Sequence, residues 1–154
     1  INENGISSHK VLTSPRKASC IFEFIYFARP DSNIFGGQNV NMIRKEFGRQ
    51  LARASGVEAD LVIPVPDSGV PAALGYAEES GIPFEFGLIR NHYIGRTFIM
   101  PDQNMRETAV RLKMNTIRPN IEGHKLILVV SVLVGWPSSV TVASRVAPAG
   151  KVMV

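Results

Sequence analysis

A short apolar run, Leu61-Val62-Ile63-Pro64-Val65, passes directly into Pro66-Asp67-Ser68-Gly69 and then into a helix-patterned stretch from Val70 to Ser80. Few folds accept that order. The run has the β-rich, wholly apolar character of a strand buried on both faces. The helix pattern repeats at Val70, Ala73, Leu74 and Ala77, Pro71 falls where a first-turn proline is favoured, and Gly81 ends it. Strand, short polar loop and helix make half of a βαβ unit. Strand-type runs at 84–89 and 126–134, and a helix-patterned stretch over 103–113, continue the alternation. The expectation is an α/β fold with a parallel sheet covered on both faces.

The flanking segments complete this reading. Residues 1–19 are polar and show neither helical nor strand periodicity, as in a connector. Residues 20–27, CIFEFIYF, are dense in aromatic and β-branched side chains, which predicts a strand or a buried extended segment. Over 41–54 the pattern is helical, with Met42, Ile43, Phe47, Leu51 and Ala54 on the apolar face and Arg44, Lys45, Arg49 and Arg53 pointing mostly outward. The final twenty residues, rich in β-branched side chains, make a poor helix.

Composition narrows the function classes. A chain of 154 residues can bury roughly two-thirds of its unfolded surface, enough for one core. Its single cysteine excludes a disulfide framework and any self-contained zinc or iron–sulfur site built on several thiolates. The default reading of Cys20 is a buried small hydrophobe. The observed N-terminus lacks a signal-peptide pattern, and the longest apolar run falls well short of the ~18 residues a membrane span needs. No membrane partner and a cytoplasmic location are therefore expected. The net charge of +4 is compatible with an anionic ligand. The basic residues are scattered and do not interleave with aromatics, so no nucleic-acid partner is expected.

Two segments carry candidate chemistry. A loop that leaves the carboxyl end of a strand and opens a helix can point backbone N–H groups and the helix's positive end at a phosphate or diphosphate. There Gly69 permits close approach, Ser68 offers a hydroxyl and Asp67 could orient a metal-bound water. The alternative is that Asp67 or Ser68 simply caps the helix. Residues 90–97 place Arg90, His92, Tyr93, Gly95 and Arg96 just after a strand-type run. That grouping suits an anion-gripping loop, because arginine matches phosphate bidentately and glycine permits a hinge. The alternative is an ordinary exposed loop. Arg106 and Arg111 could complete a basic rim or simply be solvated.

With these residues in view, the chain resembles the glutamine phosphoribosylpyrophosphate amidotransferases (amidophosphoribosyltransferases). The likeness rests on CIFEFIYFARPDS, on EADLVIPVPDSGVPAALGYAEESGIPFEFGLIRNHYIGRTFI, and on Pro101, Gln103, Arg106, Val110, Arg111, Lys113 and Asn115. It implies a type I phosphoribosyltransferase-like sheet flanked by helices, incomplete on its C-terminal side, over residues 20–154, preceded over 1–19 by the end of a glutaminase domain. The activity implied is the first step of purine synthesis, in which ammonia from glutamine replaces the diphosphate of phosphoribosyl pyrophosphate (PRPP). Purine nucleotides are the feedback ligands to expect, and a homo-oligomer the assembly.

By position, the resemblance makes Asp67, Ser68 and Gly69 part of the pyrophosphate loop, with Ser68 at a magnesium position. It makes Arg90, Tyr93 and Arg96 members of the flexible loop that closes over PRPP. Cys20 falls where an iron–sulfur subgroup places the first ligand of a four-iron cluster, which one cysteine cannot hold alone. The family's PRPP signature, roughly V-V-D-D-S-I-V-R-G-T-T-S, is departed from. Without gaps, Val130 and Ser131 stand at its two aspartates, Gly135 at the arginine, Trp136 at the glycine and Pro137 at the first threonine. Only Ser138 and Ser139 keep hydroxyls able to meet a phosphate. The expectation is a fragment of the enzyme, impaired or inactive alone; the alternative is a non-catalytic module binding PRPP or a nucleotide phosphate, or an inactive remnant.

Overall fold

The computed structural model describes residues 2–9, 18–95 and 101–130. In chain order the elements are a π-helical turn (Glu23–Phe27), β1 (Asn33–Ile34), β2 (Gln38–Asn39), α1 (Val40–Ser55), β3 (Leu61–Pro64), α2 (Val70–Ser80), β4 (Leu88–Arg90), α3 (Gln103–Lys113), β5 (Met114–Thr116), α4 (Arg118–Ile121) and β6 (Leu126–Val129). The arrangement is an open α/β one built on a parallel strand pair. β3 and β6 run parallel in the register Leu61↔Leu126 to Pro64↔Val129, and Phe84 adds a single parallel bridge to Val62. β4 and β5 pair antiparallel, as do β1 and β2.

Both faces of the parallel pair are covered, as a wholly apolar strand requires. On one face Val62, Ile127 and Val129 pack with Leu51 of α1 and with Ala72, Ala73 and Tyr76 of α2. On the other, Ile63, Leu126 and Leu128 pack with Leu88 and Ile121. The second face is thus closed by β4 and the short α4. The run 84–89 is a strand only at its end. Phe84 makes its one bridge, and regular pairing begins at Leu88.

α1 and α2 follow the local signals. Asn39 caps α1 by accepting a hydrogen bond from the Met42 amide at 3.2 Å, and Gly56 closes it in the left-handed region. Pro71 sits in the first turn of α2, and Gly81 terminates it with φ 72°. The two helices touch backbone to backbone. A Cβ on Gly48 would lie 2.7 Å from the Ala72 carbonyl carbon and 2.9 Å from the Tyr76 nitrogen. One on Gly75 would run into the Lys45 carbonyl.

That close approach rotates α1 away from its predicted face. The buried positions are Val40, Arg44, Gly48 and Leu51, whereas Met42 and Ala54 are exposed. Arg44, expected outward, is 4% exposed. Its guanidinium donates to the carbonyl oxygens of Phe24 at 2.6 Å and Ala28 at 2.9 Å. Burial pulls its pKa below the ordinary guanidinium value.

The same arginine explains why residues 20–27 are not a strand. No sheet partner lies alongside them among the described residues, and the carbonyls they would offer a neighbour are taken by Arg44 and by the turn itself. The Ala28 amide donates to the Glu23 carbonyl at 3.0 Å, the i+5 bond of a π-turn. Phe24 and Ile25 point inward, and Ile21, Phe22, Tyr26 and Phe27 outward. Cys20, expected buried, is exposed at the start of this segment.

Candidate functional site at the carboxyl ends of the parallel strands

Three chain segments meet where β3 and β6 end. The first is the loop over residues 65–69. Its Val65 amide donates to the Val129 carbonyl at 2.9 Å, which seats the loop on the last residue of β6. Gly69 is essential to that fit, because a Cβ there would lie 2.6 Å from the Val129 oxygen and 2.7 Å from the Val65 oxygen. The loop contains a cis peptide bond between Pro66 and Asp67. The second segment ends at Arg90, carried to the same edge because the Phe84 bridge runs parallel to β3. The third is Val130, the residue that follows β6.

The loop's electrostatics differ from the capping alternative. Gly69 stands at the N-cap of α2, and no side chain caps the helix. Asp67 instead forms an ion pair with Arg90, Oδ2 accepting from Nη1. The Arg90 Nε is buried and has no hydrogen-bond partner among the described residues. Two loop amides are turned inward, Gly69 to the Val65 carbonyl at 3.2 Å and Val70 to the Asp67 carbonyl at 3.3 Å. They do not serve the anion cradle that strand-loop-helix geometry predicts. What the loop offers is a close-packed backbone, the Ser68 hydroxyl, and a carboxylate already held by an arginine.

Beyond Arg90 the chain turns sharply. Asn91 accepts from the Tyr93 amide at 3.0 Å, and its own amide donates to the Lys113 carbonyl at 2.7 Å. The Lys113 Nζ donates to the Gly95 carbonyl at 2.8 Å. α3 therefore holds the foot of this loop, a role that no local pattern around residue 113 signals. Tyr93 is fully exposed and His92 is exposed. Arg96 lies outside the described residues, as do Ser138 and Ser139. Arg106 is bound within its own turn, donating to Gln103 Oε1 and to the Pro101 carbonyl, and Arg111 is exposed. The structure brings together Asp67, Ser68, Gly69 and Arg90. It leaves Tyr93 in solvent and Cys20 at a separate turn.

The donor set does not fit a resident metal. Among the described residues there is no group of three or more His, Cys, Asp or Glu side chains placed to hold one. Magnesium is commonly bound by one or two carboxylates together with substrate phosphates, and the only carboxylate of this loop is paired with Arg90. Val130 offers an apolar, half-exposed side chain where the family signature places an aspartate. Cys20, the sole cysteine of this sequence, cannot hold an iron–sulfur cluster by itself.

An open α/β sheet with a loop cluster seated on the carboxyl ends of its parallel strands belongs to the class that binds ligands at that edge. Relatives sharpen the assignment. No family model matches the chain. Over 150 residues it is 51% identical to the amidophosphoribosyltransferase of Archaeoglobus fulgidus, covering 97% of this chain and 33% of that protein. The Bacillus subtilis amidophosphoribosyltransferase is 45% identical, over 97% of this chain and 31% of its own length. A solved structure described as the allosteric regulatory enzyme of purine biosynthesis superimposes with a TM-score of 0.68 at 48% identity, covering 84% of this chain and 28% of that one. The glutamine PRPP amidotransferase from B. subtilis, complexed with ADP and GMP, gives 0.67 at 48% identity, over 82% and 28%.

The chain belongs to the amidophosphoribosyltransferase family, corresponding to a stretch about a third of the length of the curated relatives it matches. Coverage of 97% carries the match past Asn115, the last residue on which the motif-based likeness rests.

Proposed function

We propose that the chain carries the PRPP-binding part of an amidophosphoribosyltransferase, with residues 66–69 and Arg90 receiving the diphosphate. The reaction would join ammonia, derived from glutamine, to the anomeric carbon of PRPP, giving 5-phosphoribosylamine and releasing diphosphate. The observation that carries this reading is the convergence of the Gly69 loop and Arg90 at the carboxyl ends of β3 and β6.

The chemistry asks two things of these residues. As diphosphate leaves, negative charge gathers on it, and a fixed guanidinium stabilises that charge most where water is scarce. Arg90 is the cation in place. Gly69 lets the loop seat against the end of β6, where any larger residue would collide, and so presents the Ser68 hydroxyl toward the leaving group. Tyr93 and Arg96 are assigned to the loop that covers the substrate, and Ser138 and Ser139 to its 5′-phosphate. Magnesium would enter with PRPP as part of the substrate. A domain boundary near residue 19, purine nucleotides as regulatory ligands, a homo-oligomer and a cytoplasmic location belong to the same reading.

One observation favours a second reading, a binding module without turnover. Val130 and Ser131 replace the aspartates that the family's PRPP signature places after β6. Equilibrium binding of PRPP with and without magnesium, beside ammonia-dependent diphosphate release, separates the two. Magnesium-dependent binding with release is expected of the enzyme, and magnesium-independent binding without release of the module. Absence of binding at about 1 mM PRPP would overturn both. The double substitution Val130→Asp, Ser131→Asp is expected to raise magnesium-dependent affinity, and an unchanged affinity would refute the placement.

A further inference from the structure

Asp67 is an unusual neighbour for a site that must receive an anion. Its carboxylate occupies the Nη1 of the guanidinium assigned to the diphosphate, while the Nε of the same group is buried without a partner among the described residues. Arg90 is therefore neither free nor fully satisfied. The pair is only partly shielded, with side-chain exposures of 33% for Arg90 and 58% for Asp67. An exposed ion pair of this kind is weak enough to be exchanged for another anion. A doubly charged phosphate group could replace it and hold two guanidinium nitrogens at once.

We propose that Asp67 is an internal competitor for Arg90: the carboxylate holds the arginine in the ligand-free site, and an incoming diphosphate must displace it. The inference rests on the diphosphate reading of this loop and adds a property to it. Asp67 lowers the affinity for the anion and keeps the guanidinium positioned at the loop until the anion arrives. It acts through Arg90, and so is a positioning residue rather than a catalytic one.

The test is a double-mutant cycle with inorganic pyrophosphate as probe, measured by calorimetry at low ionic strength without metal. Asp67→Asn is expected to tighten pyrophosphate binding about fivefold, the scale of an exposed ion pair. In an Arg90→Gln background the same substitution is expected to change affinity by less than about twofold, because the competitor then has nothing to hold. Asp67→Ala serves as the second variant should the amide variant fail to fold. An equal gain in both backgrounds would mean general charge repulsion and would overturn the proposal. No gain, with the unmodified chain still binding pyrophosphate, would overturn the competition while leaving the diphosphate reading intact. Failure of every variant to bind pyrophosphate would overturn that reading and the competition with it.

Discussion

Arg44 shows most clearly how one side chain redirects its surroundings. By pattern it is a surface arginine on an amphipathic helix, yet it is buried and bonded to two main-chain carbonyls twenty and sixteen residues upstream. Arginine suits this role because its planar fork can serve two acceptors while its stem packs against apolar neighbours. Replacing it by Met keeps the bulk and removes the donors. Arg44→Met is expected to cost about 2–3 kcal/mol, the scale of losing charge-assisted hydrogen bonds to buried acceptors. Chemical denaturation checks the loss, and faster amide exchange at Ala28 would localise it to the π-turn. Neither the burial of Arg44 nor the turn could be read from composition, because both depend on a contact between segments with no shared local pattern.

Among the elements, the α1–α2 pair was the most legible and the most misleading. The presence of both helices and the stop at Gly81 follow from local signals, and the structure adds the caps of α1 at Asn39 and Gly56. The buried face of α1 does not, because two glycines outweigh its apolar stripe by letting the backbones approach. Gly48→Ala sets two effects against each other. Alanine gains about 1 kcal/mol of helix propensity over glycine, whereas forcing a methyl into close-packed backbone costs roughly 1–3 kcal/mol. Here the obstacle is main chain at 2.7 and 2.9 Å, which cannot rotate away. The substitution is therefore expected to destabilise by about 1–2 kcal/mol net, measurable as a lowered denaturation midpoint.

The outer faces of the same helices carry a charge ladder. Lys45 and Arg49 pair with Glu78 at 2.5 and 2.8 Å, and Arg53 pairs with Glu79 at 2.8 Å. Hydrogen bonds from Lys45 and Arg49 hold the Glu78 carboxyl below its ordinary value of 4.5, and one from Arg53 does the same for Glu79. A carboxyl whose folded pKa is depressed adds stability above its unfolded pKa and loses it as pH falls through the folded value. Thermal stability is thus expected to decline as pH drops below 4.5. The double substitution Glu78→Gln, Glu79→Gln should lower stability at neutral pH and flatten that decline, as melting at stepped pH would show. The sequence marks Lys45, Arg49 and Arg53 as pointing mostly outward, and the structure supplies their partners.

Across the molecule, burial is concentrated on the β3–β6 pair, which is covered on both faces, while the segment after Arg90 is exposed. Native-state hydrogen exchange is expected to be slower in 61–64 and 126–129 than in 91–95, since protection follows local packing. Exchange in β6 as fast as in 91–95 would contradict the two-faced core. The strand-loop-helix at 61–80, both helix ends and α3 follow from apolar periodicity, proline, glycine and capping residues, each of which acts within a few positions along the chain. The rotation of α1, the turn at 23–27, the cover of the second sheet face and the Asp67–Arg90 pair come from contacts across tens of residues. Those are decided by which surfaces can approach and which polar groups find partners, and that is settled only when the chain has closed on itself.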